Sequence, residues 1–168
     1  MMKCITLSAF IWFFLFGILT LPAPFAEESS ELLKDEIELT RAVIKFERKK
    51  IVAANIDLTE RENKKFWSLY KEYIAETDKA NNKRVKLISE YSDAYVNKTL
   101  SDRQALKLLN GYQLYEQVKL RTRNTFVQKF KEILPPKKVI RFFQIENKLD
   151  AIINFELAGG IPLVPATK

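Results

Sequence analysis

Leu58-Thr59-Glu60-Arg61-Glu62 and Leu100-Ser101-Asp102-Arg103-Gln104 are two copies of one pattern, and their reading decides the fold. In each copy a hydroxyl residue (Thr59, Ser101) can accept a hydrogen bond from a free backbone N–H at the head of a helix. The residue three further on (Glu62, Gln104) can reach back to the cap, which completes a capping box. A leucine just before each cap (Leu58, Leu100) can pack onto the first turn as a hydrophobic staple and set the entry angle. Each copy therefore ends one segment and starts a helix, and two copies make two corners.

Working outward from the first corner, Phe66, Tyr70, Tyr73, Thr77, Ala80, Arg84, Leu87 or Ile88, Tyr91 and Tyr95 keep one helical face to about Asn97. No proline or glycine interrupts this run, so it predicts a helix of roughly 55 Å. Its middle, Ala75 to Arg84, is almost wholly polar, which a thin two-layer bundle permits; the alternative is a bend at Asn81-Asn82. From the second corner, Leu108, Leu109, Tyr112, Tyr115, Val118, Thr122, Phe126, Phe130 and Ile133 are the expected buried stripe of a third helix from Asp102 to about Ile133. Only Lys98, Thr99 and Leu100 join the two, and so short a link forces neighbouring helices antiparallel. Gly111, inside the third helix, is read as a close approach to its partner.

Leu134-Pro135-Pro136 ends the third helix and opens a fourth, because a residue before proline is pushed out of the α region while proline suits a first helical position. Val139, Ile140, Phe142, Phe143, Ile145, Leu149, Ile152, Ile153, Phe155 and Leu157 make that helix apolar over most of its circumference. The expectation is burial on more than one side. Gly159-Gly160 is read as its stop, followed by an apolar extended tail laid back across the bundle. Before the first corner, Leu32, Leu33, Ile37, Leu39, Val43, Ile44, Ile51 and Val52 recur at helical spacing. Lys45, Glu47, Arg48, Lys49 and Lys50 interrupt them, so this first helix is expected to lie on the others rather than inside them.

Lys3, the apolar run Ile5 to Leu21 and the exit Ala23-Pro24-Phe25-Ala26 read as a secretory signal peptide. An uncleaved N-terminal anchor is the alternative, since the run is nearly long enough to span a bilayer. The expected organisation is thus a signal peptide at 1–26, an N-terminal helix and linker at 27–57, the hairpin with its C-terminal helix at 58–158, and the tail at 159–168. The segment from residue 27 holds 27 Lys and Arg against 21 Asp and Glu, no His and no Cys, because Lys3 and Cys4 both precede it. Ser-His and Cys-His nucleophiles are therefore unavailable to it, as are ordinary zinc and copper sites. Four glycines supply no phosphate loop. A lone glutamate such as Glu146 in an apolar helix is read as the partner of a Lys or Arg rather than an acid acting on a glycan. The expectation is a non-enzyme without cofactors. The positive balance points to acidic partners, a membrane surface among them, and export makes nucleic acid an improbable one.

The pattern Leu-(Thr/Ser)-x-x-(Gln/Glu) at Leu58, Thr59, Glu62 and again at Leu100, Ser101, Gln104, in a basic, exported, helical chain, resembles the LTxxQ-motif proteins of the Spy/CpxP family. The first copy carries Glu where that motif has Gln, the second Ser where it has Thr, and Leu134-Pro135-Pro136-Lys137-Lys138 is a fainter echo without a hydroxyl cap. The resemblance implies a periplasmic, ATP-independent chaperone of the envelope-stress type, holding unfolded or misfolded envelope proteins on the concave face of a helical homodimer. It equally allows an adaptor that docks on a membrane sensor domain, and a non-catalytic helical structural protein is the third reading. The fold expected is all-α: four helices, a long antiparallel hairpin with flanking helices, dimeric.

Aromatic area beside long basic stems can hold non-native chains weakly and without sequence preference. Phe66, Trp67, Tyr70, Lys64, Lys65, Lys71, Arg84 and Lys86 on the second helix are accordingly the client-binding candidates, with Arg121 and Arg123 on the third. Trp67, next to Phe66 and so off the main stripe, is the expected surface aromatic. The motif residues themselves are read as corners rather than contacts.

Overall fold

Both capping boxes form, and they open the two longest helices of a computed structural model that describes residues 35, 39, 42, 43 and 46–166. At the first, Glu62 accepts from the Thr59 backbone N–H at 2.8 Å and from its hydroxyl at 2.9 Å. At the second, Gln104 accepts from the Ser101 N–H at 3.0 Å. The helices that follow are α2 (Glu60–Val96) and α3 (Asp102–Lys131); before them comes α1, helical over 46–55, and after them α4 (Pro136–Gly160). The described residues are all-α, with four helices, and α2 and α3 form the expected antiparallel hairpin. The proposed signal peptide and Leu32, Leu33, Ile37 and Ile44 of the first-helix pattern lie outside the described residues. Among those described, no helix is long and apolar enough to cross a membrane.

α2 runs unbroken through its polar middle, without the alternative bend at Asn81-Asn82. It ends in a paired turn: Thr99 N–H reaches Ala94 O at 2.9 Å and Lys98 N–H reaches Tyr95 O at 3.1 Å, with Lys98 at φ 54°. This is the bonding of a Schellman cap with lysine in the left-handed place usually held by glycine. Along the hairpin, a Cβ on Gly111 would stand 2.7 Å from Leu87 Cδ2, so the glycine does mark a close approach. Tightened turns at Ile133 and Leu134, both bonded to Phe130 O, close α3 two residues earlier than the periodicity suggests. Pro136 then takes the first position of α4, with no side-chain cap.

α4 returns alongside α2 in the same direction: Phe142 meets Phe66 (5.4 Å between centroids), Arg84 meets Asn154, and Tyr91 meets Pro162. The core sits at the end of the hairpin away from its turn. Phe66, Tyr73, Phe126, Phe130, Phe142 and Phe143 fill it, with Phe130 and Phe142 only 4.6 Å apart and Tyr73 edge-on to Phe126 at 5.3 Å. Tilted and edge-to-face contacts at these spacings add to burial worth about 1.5–3 kcal/mol for each ring. Val52 and Ile56 dock the end of α1 and its exit onto this cluster.

Three expectations need correction. Leu109 and Tyr112 of the expected buried stripe of α3 stand exposed, because the core gathers at the far end of the hairpin and of this helix only Tyr115, Phe126 and Phe130 are buried. α4 is buried along one face only, through Val139, Phe142, Phe143, Glu146 and Leu149; Ile140, Ile152 and Phe155 are exposed, Phe155 at 78%. The helix has more apolar surface than one hairpin can cover. Nor does the tail lie back across the bundle. α4 continues through Gly159-Gly160, the Tyr91 hydroxyl donates to Pro162 O at 2.9 Å, and Leu163 and Val164 then stand 88% and 58% exposed.

Candidate functional site

The polar middle of α2 does not simply face water. It lines a groove of about 550 Å³, open along one side, between α2 and α4 with α1 at one rim. On α2 the lining residues follow helical spacing: Trp67, Tyr70, Lys71, Ile74, then Thr77, Asn81, Arg84 and Val85. Opposite them stand Ile153, Asn154 and Leu157 of α4, while Tyr115 and Lys119 of α3 close the back.

An ion network underlies the groove. Arg48 of α1 grips Glu146 of α4 with two bonds, Nη2 to Oε2 at 2.5 Å and Nε to Oε1 at 3.2 Å, and Nη2 also reaches Asp150 at 3.1 Å. Lys119 of α3 holds the other Asp150 oxygen at 3.1 Å. Three helices are thereby tied together, and among the described residues no buried side-chain nitrogen or oxygen lacks a partner. Burial is the largest influence on Arg48 and opposes its charge. The Glu146 carboxylate overcomes it, so the guanidinium is held more firmly charged than usual. Burial pushes the Glu146 carboxyl up, with Arg48 pulling it back. Lys119 is held charged by Asp150 against its own burial. A bidentate pair this well bonded offsets much of its desolvation cost and is a structural clamp.

The groove brings together four of the ten candidate residues: Trp67, Tyr70, Lys71 and Arg84. Phe66 is fully buried among Phe130, Phe142 and Trp67, so it belongs to the core and offers no surface to a client. Tyr70 is also a core residue that only borders the groove, and its phenol is pushed up by burial. Trp67 is half-buried, edge-on to Phe66 at 5.0 Å, with Lys49 over its ring at 5.4 Å. Lys64, Lys65, Lys86 and Arg121 are exposed outside the groove; Arg123 stands 5.3 Å over the Phe143 ring and donates to Asn147.

Sequence reasoning passed over Arg48, Lys49, Lys119 and Asp150, because their shared position arises from contacts about a hundred positions apart along the chain, such as Arg48 with Glu146. Comparison of the chain with protein-family models, with curated proteins and with solved structures finds no match. Among the described residues no group of three His, Cys, Asp or Glu is placed to hold a metal ion.

The second feature is outside the groove. Leu106, Leu109 and Leu120 share one flank of α3 and are each more than half exposed, as are Ile140, Ile152 and Phe155 on α4. Exposed Arg103, Lys107 and Arg121 lie on the same helix as the first three.

Proposed function

We propose that this chain is an exported, non-catalytic, ATP-independent chaperone-like protein that holds segments of non-native envelope proteins. The observation that carries the proposal is the exposure of Leu106, Leu109 and Leu120 on α3 and of Ile140, Ile152 and Phe155 on α4, beside cationic side chains. Apolar side chains left in water in such number gain by meeting the apolar segments of an unfolded chain, while surrounding cations keep the holder soluble and attract acidic segments. Binding of this kind needs no nucleotide. The same exposure is the reason to propose a homodimer that covers part of these faces; a monomer by sedimentation at micromolar concentration removes that part of the proposal.

The test is suppression of aggregation. The protein, without nucleotide, is added in a concentration series to two unrelated unfolding proteins. Both are expected to stay in solution at near-stoichiometric ratios, and the triple change Leu106→Ser, Leu109→Ser, Leu120→Ser is expected to weaken the effect while leaving helix content intact. Protection of neither protein overturns the reading. A saturable one-to-one complex with a single envelope sensor domain would replace it with the adaptor role.

A further inference from the structure

The groove has dimensions and charge that the chaperone reading leaves unused. Its α2 lining, Trp67 to Val85, extends about 27 Å along the helix axis at about 1.5 Å per residue. Its volume of about 550 Å³ lies within the roughly 300–1,000 Å³ of small-molecule sites. A site this long for its volume is elongated, a shape that suits an extended chain.

Charge then selects the chain. Five cations line the groove (Arg48, Lys49, Lys71, Arg84 and Lys119) against two carboxylates, Asp78 and Asp150. Arg48 and Lys119 are already matched by Glu146 and Asp150. Among the described residues, no carboxylate pairs with Lys49, which stands over the Trp67 ring, or with Lys71. Lys49 and Lys71 thus place positive charge at the Trp67 end, while Arg84, toward the other end, bonds the neutral Asn154. Beyond it Ile74, Val85, Ile153 and Leu157 offer apolar surface, interspersed with Thr77, Asn81 and Asn154.

Two of the polar groups there are engaged with the protein itself: the Thr77 hydroxyl donates to Tyr73 O at 2.8 Å and Asn154 Oδ1 accepts from Arg84 at 2.7 Å. A polypeptide would bring an N–H and a C=O at every residue, each needing a partner along the apolar stretches of the wall. A hydrocarbon chain brings none. We propose that the groove is a binding site for a single-chain anionic amphiphile, a long-chain carboxylate, with its head at Lys49 and Lys71 and its acyl chain along α2 beneath Ile153 and Leu157. The exposed leucines of α3 take no part in it, so it stands or falls independently of client holding.

Trp67 supplies the readout. The chain has two tryptophans, so the full chain carrying Trp12→Phe keeps Trp67 alone, at the proposed head-group end. Sodium oleate, added below its micellar concentration, is expected to change Trp67 emission saturably at one per chain. Calorimetry in parallel gives the affinity without relying on the ring that Lys49 covers. Lys49→Glu with Lys71→Glu should weaken binding about tenfold or more, and Val85→Phe, which narrows the trough, should weaken it at unchanged helix content. Dodecyltrimethylammonium should not compete. The proposal is overturned if oleate gives no saturable response, if the cationic amphiphile binds equally, or if the charge reversal leaves affinity unchanged. A response to phosphatidylglycerol vesicles but not to monomeric oleate also overturns it, in favour of a membrane-surface contact.

Discussion

At the scale of single residues, the two capping boxes differ in one atom pair with a consequence for pH. Gln104 cannot titrate, whereas the Glu62 carboxyl is drawn down to about 2, first by its hydrogen bond with Lys138 (2.7 Å) and then by the Thr59 N–H. A carboxyl whose folded value lies below its ordinary 4.5 contributes stability above that value, and the contribution is lost as the pH falls toward about 2. Glu62→Gln keeps the acceptor and removes the charge. The wild type is expected to melt higher than this variant at neutral pH, with the gap narrowing between pH 4.5 and 2; a gap independent of pH would refute the assignment. Lys98, at φ 54°, gives a second residue-scale prediction. A non-glycine residue in the left-handed region costs about 1–2 kcal/mol, part of which returns as chain entropy when glycine replaces it. Lys98→Gly should therefore stabilise by about 0.5–1 kcal/mol, read as a higher urea midpoint at unchanged slope.

At the scale of elements, most of the hairpin was legible because its determinants are local. Thr59 and Ser101 fix where α2 and α3 begin, Pro135 and Pro136 fix the break before α4, and Phe66, Tyr73, Phe126 and Phe130 fall on the expected stripes and in the core. Gly111 was read as a contact point, and Leu87 is what it contacts. The turn chemistry was not legible, since lysine carries no glycine signal at the C-terminal cap of α2. α1 does lie on the other helices, as its interrupted stripe suggests, with only Arg48 and Val52 buried between residues 46 and 55; what the stripe could not show is that the partner of Arg48 is Glu146, far along the chain on α4. For the same reason only part of the groove was foreseen. Gly111 and Leu87 make the helix-to-helix contact testable. Gly111→Ala gains about 1 kcal/mol in helix propensity but pushes on the Leu87 side chain, so alone it should be near neutral. In a Leu87→Ala background the gain should emerge, giving a coupling of about 1 kcal/mol in a double-mutant cycle. Additivity within about 0.3 kcal/mol would mean that the two helices do not meet there.

At the scale of the whole molecule, stability is concentrated at one end. The aromatic cluster and the Arg48–Glu146–Asp150–Lys119 network join four helices around the first half of α4. Removing one member of the clamp strands a buried charge, so Arg48→Met should cost about 3–5 kcal/mol, and adding Glu146→Leu should recover most of it. Equal loss in the single and double variants would show that packing, not charge, is what Arg48 supplies. Beyond Leu149 the situation reverses. No residue from 150 to 160 is buried, and the tethers to α2 are the exposed Arg84–Asn154 bond at 2.7 Å and the Tyr91–Pro162 bond at 2.9 Å. Segments with few buried contacts open locally at a fraction of the global free energy. Amides of 151–160 are therefore expected to exchange with solvent about tenfold or more faster than those of 140–149. Tyr91→Phe, which removes one tether, should accelerate the first set alone. Since Ile153, Asn154 and Leu157 wall the groove, this local opening also sets how wide the groove stands. A ligand lying along that wall should slow exchange in the second half of α4 and leave the first half unchanged. Uniform exchange along α4, unmoved by Tyr91→Phe, would make the helix one cooperative unit and the groove a rigid one.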